Sequence, residues 1–147
     1  MNYLLDTNIL LIYTRESSLK EIIEDNYDPF GLSNNTLISV VTVGEIKAFA
    51  LKNNWGSRKI NLLESILNRL IIVDINSEDV IEKYAEIDAY SQNRLKAKPL
   101  GVSSRNMGKN DLWIAATASV INAKLITTDK DFNHLQNVYL DLIEITP

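Results

Sequence analysis

Residues 108–132 read GKNDLWIAATASVINAKLITTDKDF, and this stretch decides the fold. Asn110 is a good helix N-cap, and Asp111 follows it in the first turn, where exposed N–H groups and the macrodipole favour a carboxylate. Ile114, Ala118 and Ile121 then recur at helical spacing, with Trp113, Ala116 and Val120 on the neighbouring stripe. A helix so nearly apolar all round belongs in an interior. Residues 124–127 (KLIT) form a short β-prone run ending in the polar turn 128–131 (TDKD). That turn sits at the C-terminal end of the expected strand, where open α/β sheets place their ligands.

The same arrangement opens the chain. Residues 2–5 (NYLL) are a short apolar strand, Asp6 follows at once, and residues 9–13 (ILLIY) begin a helix. A carboxylate in so apolar a setting needs partners, because burying it bare is costly. Taken alone, Asp6 or Asn8 has the plainer role of capping that helix. Between the two ends, a polar amphipathic helix is expected over 17–26 (Leu19, Ile22, Ile23), then a turn at 28–31 and a second strand at 37–41. A helix over 43–52 follows, with Ile46, Phe49 and Ala50 facing the core and Glu45 in its first turn. Ser57 is placed to cap the next helix, whose Ile60, Leu63, Leu67 and Leu70 recur at three- and four-residue spacing. Residues 70–73 (LIIV) are a third strand, all apolar as in a parallel sheet covered on both faces. Ser77 caps a further helix with Val80, Ile81, Tyr84 and Ile87 inward, and residues 138–145 end the chain in one or two strands. Strands alternating with helices predict a three-layer α/β/α sandwich around a parallel sheet of four to five strands, in one domain spanning 1–147.

At 147 residues the chain can bury about two-thirds of its unfolded surface. With no cysteine it has neither disulfides nor thiolate metal ligands. The N-terminus lacks a basic leader region, and Asp6 and Asn8 break its apolar run, so a cytoplasmic protein without a membrane span is expected. The net charge of −4 argues against a general nucleic-acid binder, but its distribution does not. Asn93 to Asn110 holds five basic residues (Arg94, Lys96, Lys98, Arg105, Lys109) and no acid, leaving 10 basic and 19 acidic residues elsewhere. A basic collar running into Asp111 suits a polyanion held beside an acidic centre. Its plainer reading is a solvated loop, which Pro99 and Gly101 fit equally well.

Four acids stand out by position: Asp6 and Asp129 after strands, Glu45 and Asp111 in first turns of helices. Gathered at one sheet edge they would need protons or a cation, since two charges ~4 Å apart repel by about 4 kcal/mol at an effective dielectric near 20. Hard oxygen donors without cysteine select Mg²⁺ or Mn²⁺ over zinc. The single histidine, His134, lies outside this set and reads as a surface or packing residue.

These residues also carry a resemblance. LDTNIL (5–10), the Glu of TVGEI (42–46), NDLWIAA (110–116) and ITTDKDF (126–132) resemble, in order, spacing and chain length, a PIN-domain ribonuclease of the VapC type, the toxin of type II toxin–antitoxin pairs. Any one of the four motifs is weak; all four in order are fairly specific. The resemblance implies that Asp6, Glu45, Asp111 and Asp129 form the acidic catalytic set. Asp6, Asp111 and Asp129 would hold Mg²⁺ or Mn²⁺, with Glu45 either a further ligand or a proton acceptor. Asn8, Thr128 and Asp131 fall on accessory positions. It implies metal-assisted hydrolysis of RNA, with tRNA or rRNA as target, contacts from the five basic residues, a homodimer, and silencing by a small antitoxin. Trp55 is a candidate for an interface or, equally, for helix-end packing. The loop 96–108 is longer and more basic than in the simplest members of that family.

Other readings compete. A haloacid-dehalogenase-like phosphatase also sets an Asp after a strand beside Mg²⁺, but needs a second Asp two residues on, where this chain has Asn8. No acid trio of the receiver-domain kind is present. A non-catalytic metal- or RNA-binding module on the same fold would bind without cutting, and a housekeeping RNA-processing nuclease would share the chemistry.

Overall fold

Side chains of the first strand, β1 (Asn2–Leu5), alternate between two separate cores: Leu4 enters one, and Tyr3 and Leu5 the other. That period of two is what a strand buried on both faces must show. The computed structural model describes residues 1–15 and 17–147. β1 is the middle of a five-stranded sheet, flanked on one side by β2 (Asn35–Ser39) and β3 (Ile71–Val73) and on the other by β4 (Lys124–Thr127) and β5 (Asp141–Glu144). All four strand pairings are parallel, with Leu4 aligned to Leu37 and to Leu125.

The helices are α1 (Thr7–Thr14), α2 (Ser18–Tyr27), α3 (Val40–Lys52), α4 (Ser57–Leu67), α5 (Glu78–Ser91) and α6 (Lys109–Ile121). Ile9, Leu10, Ile23, Ile46, Leu63 and Leu67 pack α1 to α4 on one face of the sheet. Ile87, Tyr90, Leu112, Ile114 and Phe132 pack α5, α6 and the 3₁₀ turn Lys130–Leu135 on the other. The expected α/β/α layers are present, with five strands. No helix among the described residues is long and apolar enough to cross a membrane.

Three boundaries and the burial of one strand differ from the sequence expectation. β2 ends at Ser39, and residues 40–42, read as strand and connection for their β-branched side chains, open α3 instead. Ser39 decides this: its hydroxyl accepts from the Val41 N–H at 3.1 Å and satisfies a donor the helix start leaves free. Ser39→Ala is therefore expected to cost about 1 kcal/mol, read as a lower midpoint in urea unfolding with an unchanged slope. The caps of α4 and α6 are Gly56 and Gly108, not Ser57 and Asn110, so Asn110 lies inside the helix and Asp111 two residues deeper than expected, still in the first turn. β3 is an edge strand, with Ile71 51% and Ile72 50% exposed rather than covered on both faces. An all-apolar run is legible in a sequence; a missing neighbour is not.

Candidate active site

The chain lays β1, β2 and β3 outward on one side, then returns to place β4 and β5 on the other side of β1. Between β1 and β4 the connections diverge, and such a switch point leaves a crevice at the strands' carboxyl ends. Asp6 follows β1 and Asp129 follows β4, so both stand at its mouth. α3 brings in Glu45 and α6 brings in Asp111. All four line one open cleft of about 740 Å³, together with Asn8, Lys52 and Asn110. A larger concavity of about 1080 Å³, between α1, α2 and α4, is lined by charges of both signs, including Arg15, Glu24 and Arg58. The convergent carboxylates single out the smaller one.

Asp6 is 4% exposed and its oxygens are spoken for: the Thr7 N–H donates to Oδ1 at 2.8 Å and the Thr127 hydroxyl to Oδ2 at 2.7 Å. Burial raises its pKa, the two hydrogen bonds oppose that, and the charges of Glu45 and Asp129 add to it. Asp6 thus caps α1, the plainer role, and also stands in the acidic cleft. The Thr7 hydroxyl donates to Glu45 Oε1 at 2.9 Å and so ties α1 to α3. Asp129 Oδ1 accepts from the Asp131 N–H at 2.9 Å, and the Asp129 N–H donates to the Thr127 hydroxyl at 3.0 Å. Asp111 is half-buried, and its pKa is pushed up to about 7 by burial first, then by Asp6, Asp129, Glu45 and Asp131.

One oxygen from each of Asp111, Asp129 and Asp131 lies within 4.8 Å of the others. This is a hard, anionic donor set of the kind that suits Mg²⁺ or Mn²⁺, and the carboxylate crowding that adds to the effect of burial on Asp111 is what a cation would relieve. Asp131, expected only as an accessory, is as near as the other two. Asp6 stands behind this group, held by its two threonines.

Of the other expected residues, Asn8 is exposed on the cleft wall. Thr128 makes no side-chain hydrogen bond among the described residues, whereas Thr127, which the sequence reading passed over, makes the contact to Asp6. Strand alternation could have found it, since residues two apart share a face and Thr127 is the last of β4. Thr7 was passed over likewise. Thr127→Val is expected to cost about 1–3 kcal/mol by leaving a buried carboxylate oxygen unpaired. It should also remove a hydrogen bond that favours the charged form of Asp6, so that more metal is needed for half-saturation. Thermal unfolding and a Mn²⁺ titration of the variant check both.

The basic residues do not act together. Arg105 donates to the Lys130 carbonyl at 3.4 Å, inside the acidic turn, and Lys109 lies in the first turn of α6. Lys98 instead pairs with Glu86 at 3.7 Å and sits over the Tyr139 ring, away from the cleft. Arg94 and Lys96 are exposed on the loop. His134 packs as expected, its Nε2 at 2.7 Å from the Ser91 hydroxyl and its ring stacked on Tyr90, with burial and Arg105 lowering its pKa. Trp55 packs edge-on to Phe49 beneath the Lys59 ammonium.

Residues 3–138 match the family model described as the PIN domain. The chain is 28% identical over 142 residues to "Ribonuclease VapC2" of Rickettsia felis, spanning 96% of this chain and 97% of that protein. Among solved structures it resembles VapBC2 from Rickettsia felis bound to a DNA fragment from their promoter, with 25% identity and a TM-score of 0.70, covering 98% of this chain and 100% of that one. The VapBC-1 structure from nontypeable Haemophilus influenzae shares the fold over 100% of both chains, with a TM-score of 0.75 and 24% identity.

Proposed function

Because the chain belongs to the PIN-domain family, we propose that it is a metal-dependent endoribonuclease, the toxin of a toxin–antitoxin pair, acting in the cytoplasm on tRNA or rRNA. The observation that carries this reading is the convergence of Asp6, Glu45, Asp111 and Asp129 on one cleft at the switch point of the sheet. The similarity to a protein named as a ribonuclease, over nearly the whole of both chains, supports RNA as the substrate.

Asp111, Asp129 and Asp131 would hold Mg²⁺ or Mn²⁺, with Asp6 completing the site directly or through water. When bound, the ion supplies Lewis acidity, offsetting the charge that builds on the phosphate and lowering the pKa of water beside it. The protein's own part is orientation. The Thr7 N–H and the Thr127 hydroxyl fix the orientation of Asp6 and favour its charged form against burial, and the Thr7 hydroxyl holds one oxygen of Glu45. The second oxygen of Glu45, without a protein partner among the described residues, is the group we assign either to the ion or to the proton of the attacking water. Arg105, at the acidic turn, and Lys109, two residues before Asp111, are assigned to phosphates flanking the cut, with Arg94 and Lys96 further out. A homodimer and an antitoxin that covers the acidic cleft complete the reading, and the likeness to the VapBC2 structure supports the antitoxin.

The test is cleavage of tRNAs, rRNA fragments and single-stranded DNA with Mg²⁺ or Mn²⁺ against EDTA. RNA cuts that require the metal are expected. Saturable metal binding with no cut on any RNA would favour the non-catalytic module instead.

A further inference from the structure

The acidic cleft has a second end that the chemistry above does not use. Its wall is one face of α3, on which Val41, Glu45, Ala48 and Lys52 follow at spacings of three and four, so their side chains line up along the helix. Glu45 marks the inner end, among the carboxylates. Lys52 marks the outer end, seven residues and about 10 Å further along the axis. Between them lie Ala48 and Phe49, faced across the cleft by Leu11. Phe49 is only partly buried: it rests edge-on against Trp55 at 6.0 Å while also bordering the cleft. Lys52 is exposed and forms no ion pair among the described residues, although an ammonium at a helix C-terminus is itself favoured.

We infer that this wall is a nucleotide subsite for single-stranded RNA: the base next to the scissile phosphate lies on Phe49 and Leu11, and the following phosphate is held by Lys52. The inference rests on the nuclease reading and adds to it which part of the substrate is gripped, and where. The charge order carries it. A polyanion can enter a cleft of four carboxylates only where its phosphates meet cations, and at the inner end that charge must come with the bound metal, while among the described residues Lys52 is the only cationic side chain lining the cleft. An apolar surface between two phosphate positions fits an unstacked base, and a duplex, whose bases are stacked inward, would not offer one.

The test uses the wild-type protein, its binding read in Ca²⁺, a hard cation that oxygen donors also hold, and its cleavage in Mg²⁺, with a fluorescently labelled random pool of short single-stranded RNA. Lys52→Ala is expected to weaken binding about tenfold and to flatten the dependence of log K on log salt by about 0.7, with Lys52→Arg restoring both. Phe49→Leu, which keeps apolar volume beside Trp55, is expected to weaken binding about tenfold with the salt dependence unchanged. It should also abolish the preference for intact RNA over an abasic strand. In Mg²⁺ both changes should raise KM and leave kcat. If RNA is bound and cut but neither variant alters affinity, the subsite is wrong and the nuclease reading survives. If the parent protein neither binds nor cuts RNA, both fall together.

Discussion

Asp111→Asn is expected to leave the protein folded and to lower metal-dependent RNA cleavage by about a thousandfold, the scale of the several kcal/mol that a correctly held metal contributes. Asp111 is half-buried and is repelled by four neighbouring carboxylates, so near neutral pH without metal it is divided between its protonated and ionised forms. Asparagine keeps the shape, removes the charge a cation needs and ends that repulsion. The effect on stability has a definite sign. A carboxyl whose pKa is higher folded than unfolded binds more protons in the folded state. The metal-free wild type should therefore lose stability as pH rises from about 3.8 towards about 7. The loss is about 1–2 kcal/mol once solvent screening of a half-exposed group is allowed for. Asp111→Asn should flatten that fall, and Mg²⁺ should reverse it in the wild type while stabilising the variant far less. Thermal unfolding in EDTA across that pH range, beside a cleavage assay, reads all of this. A variant that still cuts RNA at the wild-type rate would remove Asp111 from the site.

Phe132→Ala is expected to produce the largest loss of stability, about 3–5 kcal/mol, and a melting temperature lower by about 10 °C or more. Phe132 is fully buried and shares a core with Leu4, Leu125 and Leu135. It is also the anchor of the 3₁₀ turn on which Asp131 stands and which Asp129 caps. Truncating it opens a cavity beneath the acidic turn, so metal affinity should fall with stability, whereas Asp111→Asn separates the two. Phe132→Leu should lose much less of both. If Phe132→Ala left metal binding unchanged, the turn would be held by its own hydrogen bonds and not by the core.

How far the sequence could be read follows from how local each signal is. The apolar periods of α6 and β4 and the strand-then-acid pattern after β1 and β4 depend on neighbours in the chain, and they led to the right layers and to four acids that share one cleft. The start of α3 is not legible because the run of valines and threonine at 40–43 suits either a strand or a helix, and the cap hydrogen bond of Ser39 chooses. Thr7 and Thr127 were missed because their bonds to Glu45 and Asp6 span 38 and 121 residues. The periodicity of α3 shows Phe49 as apolar but not that Phe49 and Lys52 border the cleft, since which helical face looks onto the acids depends on the angle at which α3 packs.

The sequence by itself determined the α/β alternation, the acids that end the strands and the chemistry their oxygen donors favour, because these rest on residue type and short-range spacing. Tertiary structure alone decided that β1 lies between β2 and β4, so that Asp6 and Asp129 face one crevice. It also decided that Asp131 lies beside Asp111 and Asp129 while Lys98 turns away to Glu86. Sheet order and helix packing are set by the mutual burial of surfaces far apart in the chain, and no local pattern of residues encodes that sum.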